Sequence, residues 1–251
     1  MDRASSKNAQ AFGAGGRGFK SRRARIQHEK LIMGICPMLF MEVKIVGIDL
    51  AGSENRPTGF CTMTEELAAR TSIVYKDHEI LELIKKETPR IVAIDAPLSL
   101  PRGRTSLETR EPYHLRECDR DLLKMGIKFF PITLGPMRKL TERGMRLKSI
   151  IERLGFEVIE VYPGGAQDVL RIPRKHVSLE GLLRGLRRLG IKGLKHSMSG
   201  DELDAVTCAL VGYLYLKGDY VALGDEEEGT IIMPKSKNVR HALRFARRER
   251  E

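Results

Sequence analysis

Two short apolar runs in the chain nearly repeat each other, IVGID at 45–49 and IVAID at 91–95, and each ends in an aspartate. Runs of this composition read as strands buried on both faces, as central parallel strands are. If the two strands are parallel neighbours, Asp49 and Asp95 come side by side at the carboxyl edge of the sheet, where open α/β sheets bind their ligands. Adjacent carboxylates repel and raise each other's pKa. A hard divalent cation such as Mg²⁺ or Mn²⁺ relieves that repulsion with oxygen ligands of this kind. The plainer reading is that each Asp only opens a turn. A second pair lies in SGDELDAV, where Asp201 and Asp204 are spaced i,i+3 and so share one helix face. Ser199 and Glu202 form a capping-box pattern, which explains Glu202 and part of Asp201. It does not explain Asp204, which leads into the apolar run AVTCALVGYLYL and needs a partner there. Carboxylates around one or two divalent ions, roughly 4 Å apart, suit in-line phosphoryl chemistry. No Ser-His-Asp pattern, nucleophile elbow or Walker loop competes with this reading. His114, His176 and His196 are isolated and read as surface or structural residues.

The elements that must position these groups follow from pattern. VKIVGID (43–49), TGFCTMT (58–64) and RTSIVYK (70–76) are strands at hairpin-like spacing. DHEILELIKKETP (77–89) has helical periodicity and stops at Pro89. RIVAID (90–95) is a strand, and a long Arg-rich segment follows with helical pieces around 112–126 and 139–155. FEVIEVYP (156–163) is a strand, 164–198 reads as loop and short basic helix, and 199–218 as a nearly all-apolar helix. YVALGD and TIIMPK make a short strand or hairpin before a basic helical tail. Three close strands favour an antiparallel meander, and the later strands alternating with helices favour parallel additions. The expected fold is α/β: a mixed five-stranded sheet with helices on both faces and a helical insertion.

The chain of 251 residues carries a net charge of +11, but the excess sits at its ends. Residues 1–40 contribute +6 and 235–251 contribute +5, leaving 41–234 neutral. The domain is therefore expected over 41–234. Residues 1–40 read as a basic tail outside the fold, whose place in the native protein the sequence leaves open, and 235–251 as a second basic tail. The formal GxGxxG at Gly13, Gly15 and Gly18 has neither a strand before it nor a helix pattern after it, which removes the dinucleotide reading. The apolar run LIMGICPMLFM is interrupted by Pro37 and lacks a small-residue cleavage site, so it is not read as a signal peptide. No apolar run reaches the roughly 20 residues of a membrane helix. Four scattered cysteines give neither a disulfide framework nor a zinc knuckle and suggest a reducing, cytoplasmic setting. Three Asn and three Gln among abundant Lys, Arg and Glu match proteins of hot environments. Residues 171–196 hold eight basic residues and one acid, and 102–148 hold twelve and six; these segments either line a path for a phosphate backbone or are solvated helix faces.

The motifs GIDLAG, AIDAPLSLP, LRECDRDL, VIEVYPGGAQD and DELDAVTCAL, in that order over about 43–217, resemble the domain-of-unknown-function 429 family, regarded as nucleases of the ribonuclease H-like fold. The D-x-x-D-A start of the last helix also resembles Holliday-junction resolvases of the RuvC type. That resemblance implies metal ligands, and catalysis, at Asp49, Asp95, Asp201 and Asp204, with Asp95 standing where those enzymes have Glu. It adds Glu160 as a further ligand, Arg116 and Arg120 as substrate contacts, and Asp119 as the partner of Arg116. The implied activity is a Mg²⁺- or Mn²⁺-dependent nuclease on DNA or RNA. Two alternatives stand beside it: a non-catalytic nucleic-acid-binding or scaffold protein of the same fold, and an ATP-using relative. DLAGS (49–53) faintly resembles the phosphate loop of the latter, but that class needs two copies of the core.

Overall fold

The structure, a computed structural model, describes residues 42–235. The expected tail at 1–40, and all of 235–251 except Lys235, lie outside the described residues. Seven strands form one sheet: β1 Lys44–Asp49, β2 Thr58–Thr64, β3 Ala69–Val74, β4 Ile91–Asp95, β5 Glu157–Val161, β6 Tyr220–Asp225 and β7 Gly229–Pro234. Their order is β3-β2-β1-β4-β5-β7-β6. The first three strands are antiparallel, and β4 and β5 add parallel to β1. The expected count of five strands is corrected to seven. The YVALGD–TIIMPK hairpin is not an appendage, because β7 joins the sheet parallel to β5 through Glu160↔Ile231 and Val161↔Ile232.

Six helices accompany the sheet: α1 Asp77–Glu87, α2 Glu117–Lys124, α3 Gly135–Arg153, α4 Pro163–Leu170, α5 Leu179–Arg188 and α6 Gly200–Leu216. Strand alternation divides the core between the two faces of the sheet. Ile45, Ile91, Ala93, Ile159 and Val161 pack with α6, α5 and α4. Val46, Ile48, Val92 and Ile94 pack with Ile80 and Ile84 of α1 and with Leu147 and Ile151 of α3. The helices on both faces match the expectation.

α6 is buried all round from Leu203 to Leu214, because it lies directly on β1, β2 and β4. Ser199 caps it, with its hydroxyl accepting from Glu202 N (3.2 Å) and the Glu202 carboxylate accepting from Ser199 N (2.8 Å). Glu202 also accepts from Thr71 Oγ1 at 2.6 Å, which ties the helix start to β3. Two glycines set how closely α6 approaches. A Cβ on Gly47 would run into the Ala205 carbonyl oxygen and Ala209 nitrogen, and one on Gly59 into the Asp201 carbonyl. These are backbone atoms of a packed helix and have no rotamer by which to yield. Gly59→Ala is expected to cost at least about 2 kcal/mol by overpacking and to push the first turn of α6 off the sheet. A thermal melt checks the cost.

Candidate active site

The same alternation that builds the core aims the carboxylates. Asp49 follows Ile45 and Gly47 in phase, and Asp95 follows Ile91 and Ala93, so both face the α6 side of the sheet. The parallel register pairs Asp49 with Asp95 directly at the ends of β1 and β4. Asp201 and Asp204 stand in the first turns of α6, above those strand ends. The structure thus brings the four aspartates to one place, through two strands and one helix.

At their centre stands a residue that the sequence shows only as one cation in a basic stretch. Lys175, in the turn between α4 and α5, puts its Nζ 2.8 Å from Asp49 Oδ2, 2.9 Å from Asp201 Oδ1 and 3.0 Å from Asp204 Oδ2. Its stem passes close over Gly200. The second oxygen of Asp204 accepts from Gln167 Nε2 at 2.6 Å, and the same amide reaches Thr207 Oγ1 at 3.2 Å. Gln167, buried on α4, thereby fixes the orientation of the Asp204 carboxylate. Asp95 lies outside the lysine's reach and also walls a cavity of about 170 Å³ with Pro97, Phe129, Ile132, Met137 and Leu140.

Burial raises the pKa of Asp49 to about 7; Lys175 pulls it down and Asp204 and Asp201 push it up, but burial is the largest cause and decides the direction. Asp95 is held well above the usual carboxylate range, by burial first and then by Asp49 and Asp204. Burial works against the charge on Lys175, but Asp49 and Asp204 outweigh it and hold the ammonium above its ordinary range. For an acid whose folded pKa is raised, the folded state binds more protons than the unfolded one between the two values. Its contribution to stability is then present at low pH and is lost as pH rises through the folded pKa. The metal-free protein is therefore expected to lose stability between about pH 4 and pH 7, by about 1.4 kcal/mol for each pH unit crossed. Chemical denaturation in a chelator at pH 5 and pH 8 measures this; equal stability at both would contradict the strained carboxylates.

Glu160 and Arg116, expected as a metal ligand and a substrate contact, are paired with each other. Glu160 pairs in register with Ile94, not Ala93, so it points to the opposite face of the sheet from Asp49 and Asp95. Both its oxygens are engaged, by Arg116 Nη1 and Nη2 at 2.7 Å each, and one also accepts from Leu98 N at 2.7 Å. It has no free oxygen to offer a metal. Arg116 is 1% exposed and also grips Asp119, its expected partner, and the three side chains border the cavity beside Asp95. Arg120 is exposed on α2 and pairs with Glu117 at 3.0 Å.

Two more of the twelve cations at 102–148, Arg104 and Arg143, are buried as Arg116 is. Arg104 donates to the carbonyls of Ser106, Thr109, Glu111 and Tyr113. Arg143 holds Asp77 and the carbonyls of Ala51 and Tyr75. Arg143 thereby fixes the loop that follows Asp49. In the other basic stretch, Arg174 is held by Asp168 and Tyr162, whereas Arg184 of α5 is 68% exposed and faces Glu180 at 3.9 Å.

Among the described residues no group of three or more His, Cys, Asp or Glu side chains stands ready to hold a metal ion. The carboxylates that converge do so around an ammonium, at 2.8–3.0 Å. Mg²⁺ takes oxygens at about 2.0–2.1 Å, so the side chains must close in by most of an ångström to ligate it. The donor set, all carboxylate oxygen, is of the chemistry a hard divalent cation takes, and Asp49, Asp201 and Asp204 are the residues that would hold one once drawn inward, with Asp95 beside them.

No protein-family model matches the chain, and no curated protein matches it. Among solved structures it is similar to a Thermus thermophilus RuvC structure, with 15% sequence identity and a TM-score of 0.41, over 70% of this chain and 97% of that one. Overlap this loose adds no weight to the geometry. No described helix is long and apolar enough to cross a membrane.

Proposed function

We propose that the domain at 41–234 is a divalent-metal-dependent phosphodiesterase of the ribonuclease H-like type that cleaves nucleic acid, with Asp49, Asp95, Asp201 and Asp204 as its catalytic carboxylates. The observation that carries this is the convergence of three carboxylates, from β1 and α6, on one cationic point, with the fourth in register beside Asp49. The first five strands are the meander and parallel additions that strand spacing in the sequence favours. Such a cluster is costly for a fold to keep, and a raised carboxylate pKa at a sheet's carboxyl edge is a mark of function.

Bound there, Mg²⁺ or Mn²⁺ would supply Lewis-acid activation of water and charge stabilisation at a phosphorus centre. The chain's own residues do the rest. Gln167 holds Asp204 in one rotamer. The cavity beside Asp95, bordered by Phe129, Ile132, Met137 and Leu140, gives that carboxylate a partly apolar setting. The exposed guanidinium of Arg184 on α5 offers a contact for phosphate backbone, as does Arg120 on α2. Free, buried thiols at Cys61, Cys118 and Cys208 support a reducing, cytoplasmic setting.

The test is calorimetric titration of Mn²⁺ into the protein beside its Asp49→Asn/Asp204→Asn double variant, followed by a cleavage screen on DNA and RNA. Binding by the native chain that the double variant loses is the expected result. A second reading, a nucleic-acid-binding protein without catalysis, is favoured by one observation: Lys175 already occupies the point on which the carboxylates converge. Nucleic-acid binding with no metal response in any variant would select it.

A further inference from the structure

Lys175 differs from the other interior cations of this domain in what holds it. Arg104, Arg116 and Arg143 are each locked by several groups, and Arg104 and Arg143 by backbone carbonyls that cannot leave. Among the described residues, the contacts of the Lys175 ammonium are the carboxylates of Asp49, Asp201 and Asp204. Its side chain is 36% exposed, on a flexible stem that rises from a turn. A compact ammonium on four methylenes can leave such a place by rotating its own bonds, with no backbone movement.

The point it occupies is also the point at which a divalent cation would meet those same three carboxylates. Two cations cannot share it: placed in contact they would repel strongly in this partly desolvated setting. We infer that Lys175 is a resident cation that holds the carboxylates together in the metal-free protein and competes with the divalent ion, which binds only as the lysine swings out toward solvent. This rests on the metal-site reading above and adds a lock to it. The lock has two physical consequences. The three carboxylates stay gathered in the absence of metal, so the site is preformed. Metal affinity is reduced by the fraction of time that the lysine stays in place.

The test follows the lysine itself in the native full-length chain. The protein is acetylated with a low dose of an N-hydroxysuccinimide ester at fixed pH, with and without Mn²⁺, and labelling at each lysine is read by peptide mass spectrometry. Lys44, at the far end of β1 and paired with Glu87, is the internal reference. Mn²⁺ is expected to raise the labelling rate of Lys175 by about tenfold, matching a lysine-out population of about one in ten without metal, and to leave Lys44 unchanged. In parallel, Lys175→Met is expected to bind Mn²⁺ about tenfold more tightly by calorimetry, while Lys175→Arg stays weak. Mn²⁺ that binds the native chain and leaves Lys175 labelling unchanged or lower overturns the lock and leaves the metal site standing. Mn²⁺ that binds neither the native chain nor Lys175→Met overturns both. If Lys175→Met does not fold, the labelling of the native chain still decides.

Discussion

Asp49→Asn is expected to reduce phosphodiester cleavage by on the order of 10³-fold while leaving the metal-free protein as stable as the native one, or more stable. The two halves of that expectation have one cause. Burial pushes Asp49 up to about 7 in spite of the attraction of Lys175, so the fold gains nothing by keeping this group ionised near neutrality. The amide removes the repulsion at nearly constant volume, and Lys175 keeps two carboxylate partners. A structural aspartate behaves the opposite way, since its loss lowers the melting temperature. Asp204→Asn should match the loss of cleavage without the gain in stability. Its carboxylate accepts from Gln167 and faces Lys175, and an amide nitrogen turned to either donor meets a like partner. The measurement is cleavage rate against melting temperature in a chelator, for both variants. Retained cleavage in both removes the site assignment, and a lower melting temperature for Asp49→Asn would mark that residue as structural.

The pair at the strand ends was legible because its determinants are local. IVGID and IVAID announce two buried strands that each end in aspartate, and the parallel register from Ile45↔Ile91 to Asp49↔Asp95 sets those aspartates side by side. The start of α6 was legible for a similar reason, since the capping box accounts for Ser199 and Glu202 and leaves Asp204 unexplained. Lys175 was not legible. It lies 126 residues from Asp49 and 26 from Asp201, and in sequence it is one of eight cations in a stretch that reads equally well as a solvated face. Its role appears only once the α4–α5 turn is packed against Gly200. The role of Glu160 turns on a single register step. The motif VIEVYP shows a mid-strand acid, but which face it takes depends on β5 pairing Glu160 with Ile94, not with Ala93. The added strands β6 and β7 are visible in sequence as a hairpin. Their joining of the sheet rests on two residue pairs at the tip of β5, which no local pattern encodes.

That register step leads to the largest expected effect on stability. Arg116 is almost wholly enclosed, and Glu160 with Asp119 outweigh the cost of burial to hold its charge. Replacing it by methionine keeps much of the volume but leaves the Glu160 carboxylate buried with only Leu98 N as donor, and Asp119 with the backbone N of residue 116. Removing one partner of a buried pair costs about 3–5 kcal/mol, because the other charge stays behind without compensation. In a domain of this size each kcal/mol moves the melting temperature by about 2–4 °C, so a fall of roughly 10 °C is expected for Arg116→Met. Adding Glu160→Gln to it removes the stranded charge and should restore part of the loss, which a double-mutant cycle measures. Additive losses in that cycle would mean that the two residues act independently. The consequence for activity runs through Leu98, whose backbone N donates to Glu160 three residues after Asp95. With that anchor loosened, the exit of β4 is free to shift. Arg116→Met should then lower turnover through a misplaced Asp95 even where the domain remains folded, and Arg116→Met/Glu160→Gln, which keeps an acceptor for Leu98 N, should recover part of that turnover as well.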